Sequence, residues 1–315
     1  MTIQQQLKSL QKLSGLTQAE LAARLGVTFV ALNRWVNGKA VPRPKMQEKI
    51  KTLYKEYSGE KQIPATVLEA KKQLIAATGK KHKNVLKEIL DNPDIRDQFY
   101  LSLTYNSNRI EGSTLSEGDT AAILFQNAAL PNKSLVEQLE AKNHQAALQY
   151  LFEHLSAKKP IDEELILKLH SILMNAIRSD AGVYRNHGVR IMGTHVPTAN
   201  YQKVPELMKE LVRDIKSKAD EVAHIAHIHW RFEKIHPFGD GNGRIGRLLM
   251  HAMALRENLA PVVVLQEKRR LYAAYLNKAQ MKDDQSLLED FVCDAILEGY
   301  RILERKPKTR RREQK

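Results

Sequence analysis

The sequence predicts an all-α protein with a small N-terminal domain, and three observations support this prediction. Apolar residues recur at loosely helical spacing from residue 68 onward. Capping residues and glycines mark the ends of short helices near the N-terminus. Strand-like alternation is scarce, and its exception is the segment 189–197, which surrounds a glycine and predicts a short β-hairpin. We call this hairpin the flap and assign to it Val189, Arg190, Ile191, Met192 and Gly193.

Helix boundaries are clearest in the first forty residues. Thr17 and Glu20 have the pattern of a capping box, which begins a helix, and Gly26 ends that helix. Thr28 caps a second helix, which ends at the Asn-Gly pair 37–38 because glycine readily adopts the left-handed conformation of a helix C-terminus. Two short helices joined by a tight turn are therefore expected.

This stretch resembles the helix-turn-helix of the Cro/repressor type over about residues 3–57, and the likeness rests on Leu16 to Ala22, Leu25 to Thr28 and Arg34 to Lys39. The resemblance implies contacts to duplex DNA from Gln18, Thr28, Phe29, Val30, Asn33, Arg34 and Lys39. Family members usually have polar residues where this chain has Phe29 and Val30, so that pair either contacts thymine methyl groups or belongs to a protein interface. A module that binds protein instead of DNA is the alternative, and a homodimer stays open because such modules often dimerise.

Beyond this module the sequence divides into a linker and a larger domain. We predict a helix-turn-helix domain at residues 1–57, a linker at 58–68, a large helical domain at 69–304 and a disordered basic tail at 305–315. With 43% hydrophobic residues, the chain can bury one sizeable core beside a small second domain. No segment has the roughly 18 apolar residues that span a bilayer, and no signal-peptide pattern begins the chain, so we expect a cytoplasmic protein without a membrane partner. The single cysteine, Cys293, cannot form an internal disulfide, which fits a reducing compartment.

The net charge of +14 is concentrated at the two ends of the chain. Residues 1–60 hold ten Lys/Arg and four Glu, and residues 305–315 hold seven Lys/Arg and one Glu. Each end therefore carries +6, and the middle of the chain is nearly balanced. A polyanion partner is indicated, nucleic acid before membrane, because no amphipathic apolar face accompanies the tail. The alternative for the tail is a solvated, disordered end.

The segment 235–247 lies between two helical patterns and carries the residues of a phosphate site. Gly241 and Gly243 let the backbone approach a ligand closely and present its N–H groups to an anion at a helix N-terminus. Arg244 and Arg247 are three residues apart, so both guanidinium groups project from one face of the new helix. Two arginines beside such a cradle suit a polyphosphate.

Two further residues of the segment suggest the chemistry. Asp240 offers a hard oxygen ligand for Mg²⁺ shared with phosphate oxygens, since Mg²⁺ commonly takes few protein ligands. His236 is the natural proton acceptor, because an imidazole with an ordinary pKa near 6.5 is largely neutral at neutral pH.

Three other interpretations of this region are weaker. The string Gly241 to Gly246 fits a dinucleotide-binding G-x-G-x-x-G pattern, but that pattern needs a strand directly before it. His224, His227 and His229 suggest zinc, yet at about 100° per residue the third points away from the first two. A plain turn between helices leaves the clustering of a histidine, a carboxylate and two arginines unexplained.

The segment is similar to the Fic-family motif H-P-F-x-D-G-N-G-R-x-x-R and matches it at every specified position. The resemblance implies an adenylyltransferase that moves AMP from ATP to a Ser, Thr or Tyr hydroxyl of a target protein or of itself. It assigns His236 as the base, Asp240 as the Mg²⁺ ligand, and Asn242 with the backbone of Gly241 and Gly243 to the α-phosphate. Arg244 and Arg247 take the β- and γ-phosphates. Relatives that phosphorylate typically have lysine at position 243, so Gly243 favours AMP transfer.

The likeness extends over roughly residues 69–300. It implies that the flap holds the target peptide by strand-like main-chain bonding. It also places Tyr272 and Gln280 at the adenine, where relatives more often have Asn than Gln.

A second resemblance lies N-terminal to the loop, at residues 107–112. Ser107, Glu111 and Gly112 fit an inhibitory-helix motif of Ser or Thr, three residues, Glu, then Gly or Asn. It implies that Glu111 pairs with Arg247 and competes with the γ-phosphate for the guanidinium, while Ser107 steadies the pair. In some relatives the same Glu positions a water that removes AMP, so reversal is a second activity to consider.

Two hypotheses follow from the sequence. In the first, the protein is an autoinhibited AMP transferase that a helix-turn-helix places on DNA or on a partner. In the second, it is a DNA-binding transcriptional regulator whose Fic domain mainly modifies itself or senses ATP. The intact loop favours the first.

Overall fold

A computed structural model describes residues 1–191, 196–217 and 220–305. Within these ranges the chain forms fifteen α-helices and no strand, which confirms the predicted all-α class. The chain divides into two compact units: residues 1–64 with 267–288, and residues 65–266 with the described residues from 289 onward. The predicted domains are each one continuous stretch of sequence, and their boundaries stay a prediction.

The first unit begins with four helices: α1 (Ile3–Ser14), α2 (Gln18–Leu25), α3 (Phe29–Val36) and α4 (Pro44–Ser58). The predicted capping box is confirmed, since the Thr17 hydroxyl accepts from the Glu20 N–H at 3.2 Å and the Glu20 carboxylate accepts from the Thr17 N–H at 2.8 Å. Gly26 ends α2 with a φ of 72°, and Thr28 caps α3. α1 packs against α4 and α3, and a later helix, Arg269–Lys282, packs against α4 in the same unit.

The helices from residue 65 to residue 256 belong to the second unit. They are α5 (Ala65–Gly79), α6 (Val85–Asp91), α7 (Pro93–Glu111), α8 (Glu117–Gln126), α9 (Leu135–Ser156), α10 (Glu163–Leu173), α11 (Val204–Ile215), α12 (Glu221–Ile235) and α13 (Asn242–Arg256). Two more helices follow in the described part of the chain: α14 (Arg269–Lys282) lies in the first unit, and α15 (Ser286–Leu303) begins there and ends in the second.

α13 is the central helix of the second unit. It contacts α7, α9, α10 and α12, and thirteen of its fifteen residues are buried. An apolar run such as Leu248 to Leu255 permits this burial on every side, because no face of the helix must meet water. The segment 236–241 that leads into α13 is therefore held on several sides, which suits a site that needs fixed geometry.

Two predicted segments, the flap and the basic tail, lie partly or wholly outside the described residues. Val189 to Ile191 form no strand, and Met192 and Gly193 lie outside the described residues, so the flap hairpin stays a prediction. What the structure does place is Val189, whose carbonyl accepts a hydrogen bond from the Thr198 hydroxyl at 2.9 Å. The basic tail beyond Arg305 also lies outside the described residues. None of the described helices is both long enough and apolar enough to cross a membrane.

Candidate active site

The site begins where α12 ends. His236 follows the last helical residue and has a left-handed backbone, with φ 52° and ψ 62°, which is uncommon for a residue with a side chain. The Arg185 side chain holds this turn: its Nε donates to the His236 carbonyl at 2.7 Å, and its Nη2 donates to the Ile235 carbonyl at 3.3 Å. The Arg185 N–H also donates to the Pro237 carbonyl at 2.9 Å. Three successive carbonyls are thus fixed by one buried residue.

The His236 ring has a defined tautomer. Its Nδ1 lies 3.3 Å from the Glu233 carbonyl oxygen. Because a carbonyl can only accept, Nδ1 carries the proton and Nε2 keeps a lone pair that can accept one. Burial, and next to it the charge of Arg185, lowers the pKa of His236, although its hydrogen bond to Glu233 and the charges of Glu111 and Asp240 act in the opposite direction. The ring is therefore neutral at neutral pH, as a general base requires.

The N-terminus of α13 is open to an anion. Gly241 caps the helix with a φ of 77°, a left-handed value that favours glycine, and no side chain caps the first turn. The first intrahelical bond runs from the Ile245 N–H to the Gly241 carbonyl at 3.0 Å. The N–H groups of residues 242–244 therefore have no partner inside the helix, and they lie at the positive end of the helix dipole. Such an end binds phosphate.

Asn242 has a role that the sequence did not predict. Its Nδ2 donates to the Phe238 carbonyl and its Oδ1 accepts from the Phe238 N–H, both at 2.9 Å. Both ends of the buried amide are used to close the loop 238–242. Because the side chain of Asn242 is engaged in this way, its backbone N–H is the group that would contact the α-phosphate. That contact stays a prediction.

His170 of α10 also holds the loop. Its ring stacks on Phe238, with centroids 3.7 Å apart and planes 6° from parallel. Its Nδ1 accepts from the Gly182 N–H at 2.8 Å, which leaves the proton on Nε2, and Nε2 donates to the Asp240 carbonyl at 3.1 Å. Burial lowers the pKa of His170 to about 4, so this neutral form persists at neutral pH.

Asp240 and Arg244 lie at the entrance of the cradle. The Asp240 side chain is 54% exposed, and its Oδ1 accepts from the Gly241 N–H at 2.6 Å. Arg244 is buried, and its Nη1 donates to Glu140 of α9 at 2.6 Å while its Nη2 lies 3.7 Å from Asp240 Oδ1. Glu140 therefore orients the guanidinium, a role that sequence reasoning missed because Glu140 is distant in sequence and fits no motif.

Arg247 is bound by α7. Its Nε donates to the Ser107 hydroxyl at 2.9 Å, and its Nη2 donates to the Ser107 carbonyl at 3.1 Å and to Glu111 at 2.6 Å. Burial acts to raise the pKa of Glu111, but Arg247 and then Arg244 outweigh it, so this pKa lies below its ordinary value. The structure thus brings together the residues that the inhibitory motif named. A Cβ built on Gly243 would overlap the Glu111 carboxylate, so the two occupy one space.

Behind Arg247 lies a buried layer of neutral polar side chains. Burial raises the pKa of Glu233 to about 8, with Arg247 opposing the shift and Glu111 adding to it. His229 and His251 have pKa values of about 3, first because of burial and then because of Arg247. At neutral pH none of these three side chains is charged, so none of them forms an ion pair with Arg247. The positive charge of Arg247 can therefore pair with Glu111 or with a phosphate. Sequence reasoning could not find Glu233, since a helix glutamate is usually solvated.

The two residues predicted to contact adenine belong to another helix. Tyr272 and Gln280 are buried on α14, which belongs to the first unit, and their contact to adenine stays a prediction. Among the described residues no group of three or more metal-binding side chains is found. No described strand precedes Gly241, so the context of a dinucleotide-binding fold is lacking there.

The helix-turn-helix presents most of its predicted DNA contacts to solvent. Thr28, Phe29, Val30, Arg34 and Lys39 are exposed. Gln18 and Asn33 are half-buried and bonded to each other, with Asn33 Nδ2 donating to Gln18 Oε1 at 2.9 Å.

Comparison with known proteins finds one family match for the helix-turn-helix and another for the part of the chain that holds the loop. The model of the Fic/DOC family matches residues 160–254, which include α12, the loop and all but the last two residues of α13, so this part of the chain is a Fic domain. A helix-turn-helix model matches residues 7–54, and the chain therefore carries a Cro/repressor-type helix-turn-helix domain in front of its Fic domain.

Curated relatives match about 60% of the chain. Protein adenylyltransferase Fic of Nematostella vectensis is 35% identical over 190 residues, which are 58% of this chain and 44% of the relative. Protein adenylyltransferase fic-1 of Caenorhabditis elegans is 32% identical over 209 residues, 64% of this chain and 40% of the relative. The chain spans less than half the length of these relatives.

Solved structures show the same fold. A Fic domain containing signaling protein from Bacteroides thetaiotaomicron superposes with a TM-score of 0.64 at 24% identity, covering 74% of this chain and 96% of that one. A variant of Fic-1 from C. elegans superposes with a TM-score of 0.60 at 26% identity, covering 82% of each chain.

Proposed function

We propose that this protein is an autoinhibited protein adenylyltransferase that moves AMP from ATP to a Ser, Thr or Tyr hydroxyl. One observation carries the proposal: a neutral imidazole with a free Nε2 lone pair stands at the entrance to an uncapped helix N-terminus that is flanked by two arginines. The relatives named as adenylyltransferases support it.

The reaction follows from these positions. The target hydroxyl oxygen attacks the α-phosphorus of ATP, and its proton passes to Nε2 of His236. The new O–P bond forms as the bond from the α-phosphorus to the bridging oxygen breaks, and pyrophosphate leaves with the electrons of that bond. The N–H groups at the start of α13 face the phosphates, and Arg244 and Arg247 neutralise the charge on the leaving group. Arg185, His170 and Asn242 keep the loop in place throughout.

The donor set around Asp240 fits Mg²⁺. Its carboxylate is more than half exposed and lies beside the phosphate cradle, and its Oδ1 accepts from the Gly241 N–H at 2.6 Å. One carboxylate together with phosphate oxygens and water is a common environment for this ion. Mg²⁺ bound there with ATP would neutralise phosphate charge and help to orient the triphosphate.

Inhibition is built on Glu111. Its carboxylate is bonded to the guanidinium that is expected to hold the γ-phosphate, and it fills the space in front of Gly243. ATP can therefore adopt a productive pose only when this ion pair opens. The same carboxylate could direct a water toward a bound AMP group, so removal of AMP is a further activity of the proposed site.

The helix-turn-helix is proposed to bind duplex DNA. Its exposed basic residues and the net charge of +6 over residues 1–60 support a polyanion as the partner. The target protein and the compartment belong to the same proposal: a cytoplasmic substrate, with the chain itself as the first one to test. The alternative function is a DNA-binding regulator whose Fic domain mainly modifies itself or senses ATP. Sensing alone requires no proton acceptor at residue 236, so the defined His236 tautomer favours transfer chemistry over sensing.

The test is labelling with ATP that carries the label on either the α- or the γ-phosphate. AMP transfer predicts that protein is labelled only from the α-position, weakly for the wild type, and not at all for His236→Ala. His154→Ala, which removes a half-buried histidine at the end of α9, is the matched control and is expected to behave like the wild type. Label from the γ-position, or equal labelling by His236→Ala, would overturn the proposal.

A further inference from the structure

An exposed apolar pair stands at the start of α3. Phe29 and Val30 are 51% and 66% exposed, whereas Leu32 and Val36 of the same helix are buried in the core. More than half of the surface of each of these two residues therefore faces solvent. In a helix-turn-helix, the N-terminal residues of the second helix are those that reach base edges in the major groove.

The polar side chain next to this pair is already engaged. Asn33 donates from Nδ2 to Gln18 at 2.9 Å and accepts at Oδ1 from Asn37 Nδ2 at 3.1 Å. An asparagine that recognises adenine uses both ends of its amide at once. Each end of the Asn33 amide therefore already has one partner within the protein, which holds the side chain in place beside the apolar pair.

The surroundings of the pair favour DNA over an apolar protein surface. Arg34 and Lys39 are exposed on the same helix and the turn after it, and residues 1–60 carry a net charge of +6. A small apolar patch with a basic surround is complementary to the major groove, where thymine methyl groups lie between two rows of phosphates.

On this basis, which rests on the proposed DNA binding, we propose that Phe29 and Val30 recognise thymine methyl groups. The sites that this protein prefers would then contain thymine at the base pairs facing the start of α3. Arg34 and Lys39 supply affinity that is sensitive to salt, and the apolar pair supplies the base preference.

The experiment uses the full chain and a library of duplexes with a randomised core. Sites are enriched from the library, and each thymine of the enriched site is then replaced in turn by uracil, which removes only the methyl group. At one or two positions we expect the wild type to lose about fourfold in affinity per methyl group, the value for one buried carbon. This comparison needs no protein variant.

Variants then assign the effect to the pair. In the double variant Phe29→Ala, Val30→Ala the uracil penalty should disappear, while the dependence of binding on salt should stay as in the wild type. Val41→Ala, which removes an apolar side chain outside α3 that is 79% exposed, should keep the penalty. Phe29 and Val30 are each more than half exposed, and truncating them leaves the buried residues of α3, Leu32 and Val36, in place.

The outcomes separate the two levels of the proposal. If no duplex is enriched, DNA binding itself is wrong and this inference falls with it. If duplexes are enriched but uracil is tolerated at every position, DNA binding stands and methyl recognition is wrong. An undiminished penalty in the double variant would also overturn the assignment, because other residues would then contact the methyl groups.

Discussion

Replacing Glu111 with glycine should activate the enzyme. Arg247 is only 2% exposed at its side chain and is bonded to Glu111 at 2.6 Å, so the pair is a charge-assisted hydrogen bond, for which about 1.5–3 kcal/mol is typical. Glu111 itself is 40% exposed, and water screening reduces that range to about 1–2 kcal/mol. Since 1.36 kcal/mol corresponds to a factor of ten, the rate of AMP transfer should rise roughly 5- to 30-fold.

The assay is the initial rate of self-labelling from α-labelled ATP with saturating Mg²⁺. Glu111→Gln keeps the length of the side chain but not its charge, and it should give a smaller increase. Glu117→Gly, which removes an exposed carboxylate from α8, is the control and should leave the rate unchanged.

A double-mutant cycle tests the mechanism of this inhibition. If Glu111 inhibits through Arg247, Glu111→Gly should accelerate the wild type and have no accelerating effect when Arg247 is already alanine. An unchanged rate in Glu111→Gly, or an equal acceleration with and without Arg247, would refute the reasoning.

Two further predictions concern the buried residues that hold the site. His170→Phe keeps the stacking on Phe238 but leaves the Asp240 carbonyl and the Gly182 N–H without their partner, so urea denaturation should show a loss of roughly 2 kcal/mol or more; a loss under about 0.5 kcal/mol would show that the ring acts by stacking alone. The fold raises the pKa of Glu233 from an ordinary 4.5 to about 8. Between these two pH values the folded protein keeps a proton on Glu233 that the unfolded chain has released. The contribution of Glu233 to the free energy of unfolding therefore falls by up to about 1.4 kcal/mol per pH unit from pH 4.5 to 8. Urea denaturation of wild type and Glu233→Gln at pH 5, 6, 7 and 8 should therefore show a stability difference that shifts toward the variant as the pH rises; a difference independent of pH would mean that Glu233 is charged or solvated in the fold.

Local signals in the sequence predicted local structure well. The capping box of Thr17 and Glu20 and the glycine at position 26 act through bonds within a few residues, and the structure confirms them. The same holds for the loop between α12 and α13, since its motif is continuous and glycine, proline and asparagine constrain their own backbone. The flap is different, because a hairpin of weak alternation depends on what it packs against, and part of it lies outside the described residues.

Several residues that hold the site escaped prediction for a common reason. His170 and Glu140 belong to helices far from the loop in sequence, and Glu233 lies on a helix face that looks ordinary. Each of the three acts through a partner on another element. Arg185 also escaped prediction, because the three carbonyls that it binds become neighbours only when α12 has ended at His236.

What the sequence determined by itself is the chemistry on offer: a histidine, a carboxylate and two arginines around a glycine-rich turn, with a helix-turn-helix ahead of them. The tertiary structure decided the state of each group, because protonation and bonding depend on burial and on partners brought from other helices. It placed the His236 proton on Nδ1, set Asn242 to close the loop, and put the Glu111 carboxylate where an incoming phosphate is expected. Those states, which no local pattern encodes, separate a polar turn from a site that could transfer AMP and be held inactive.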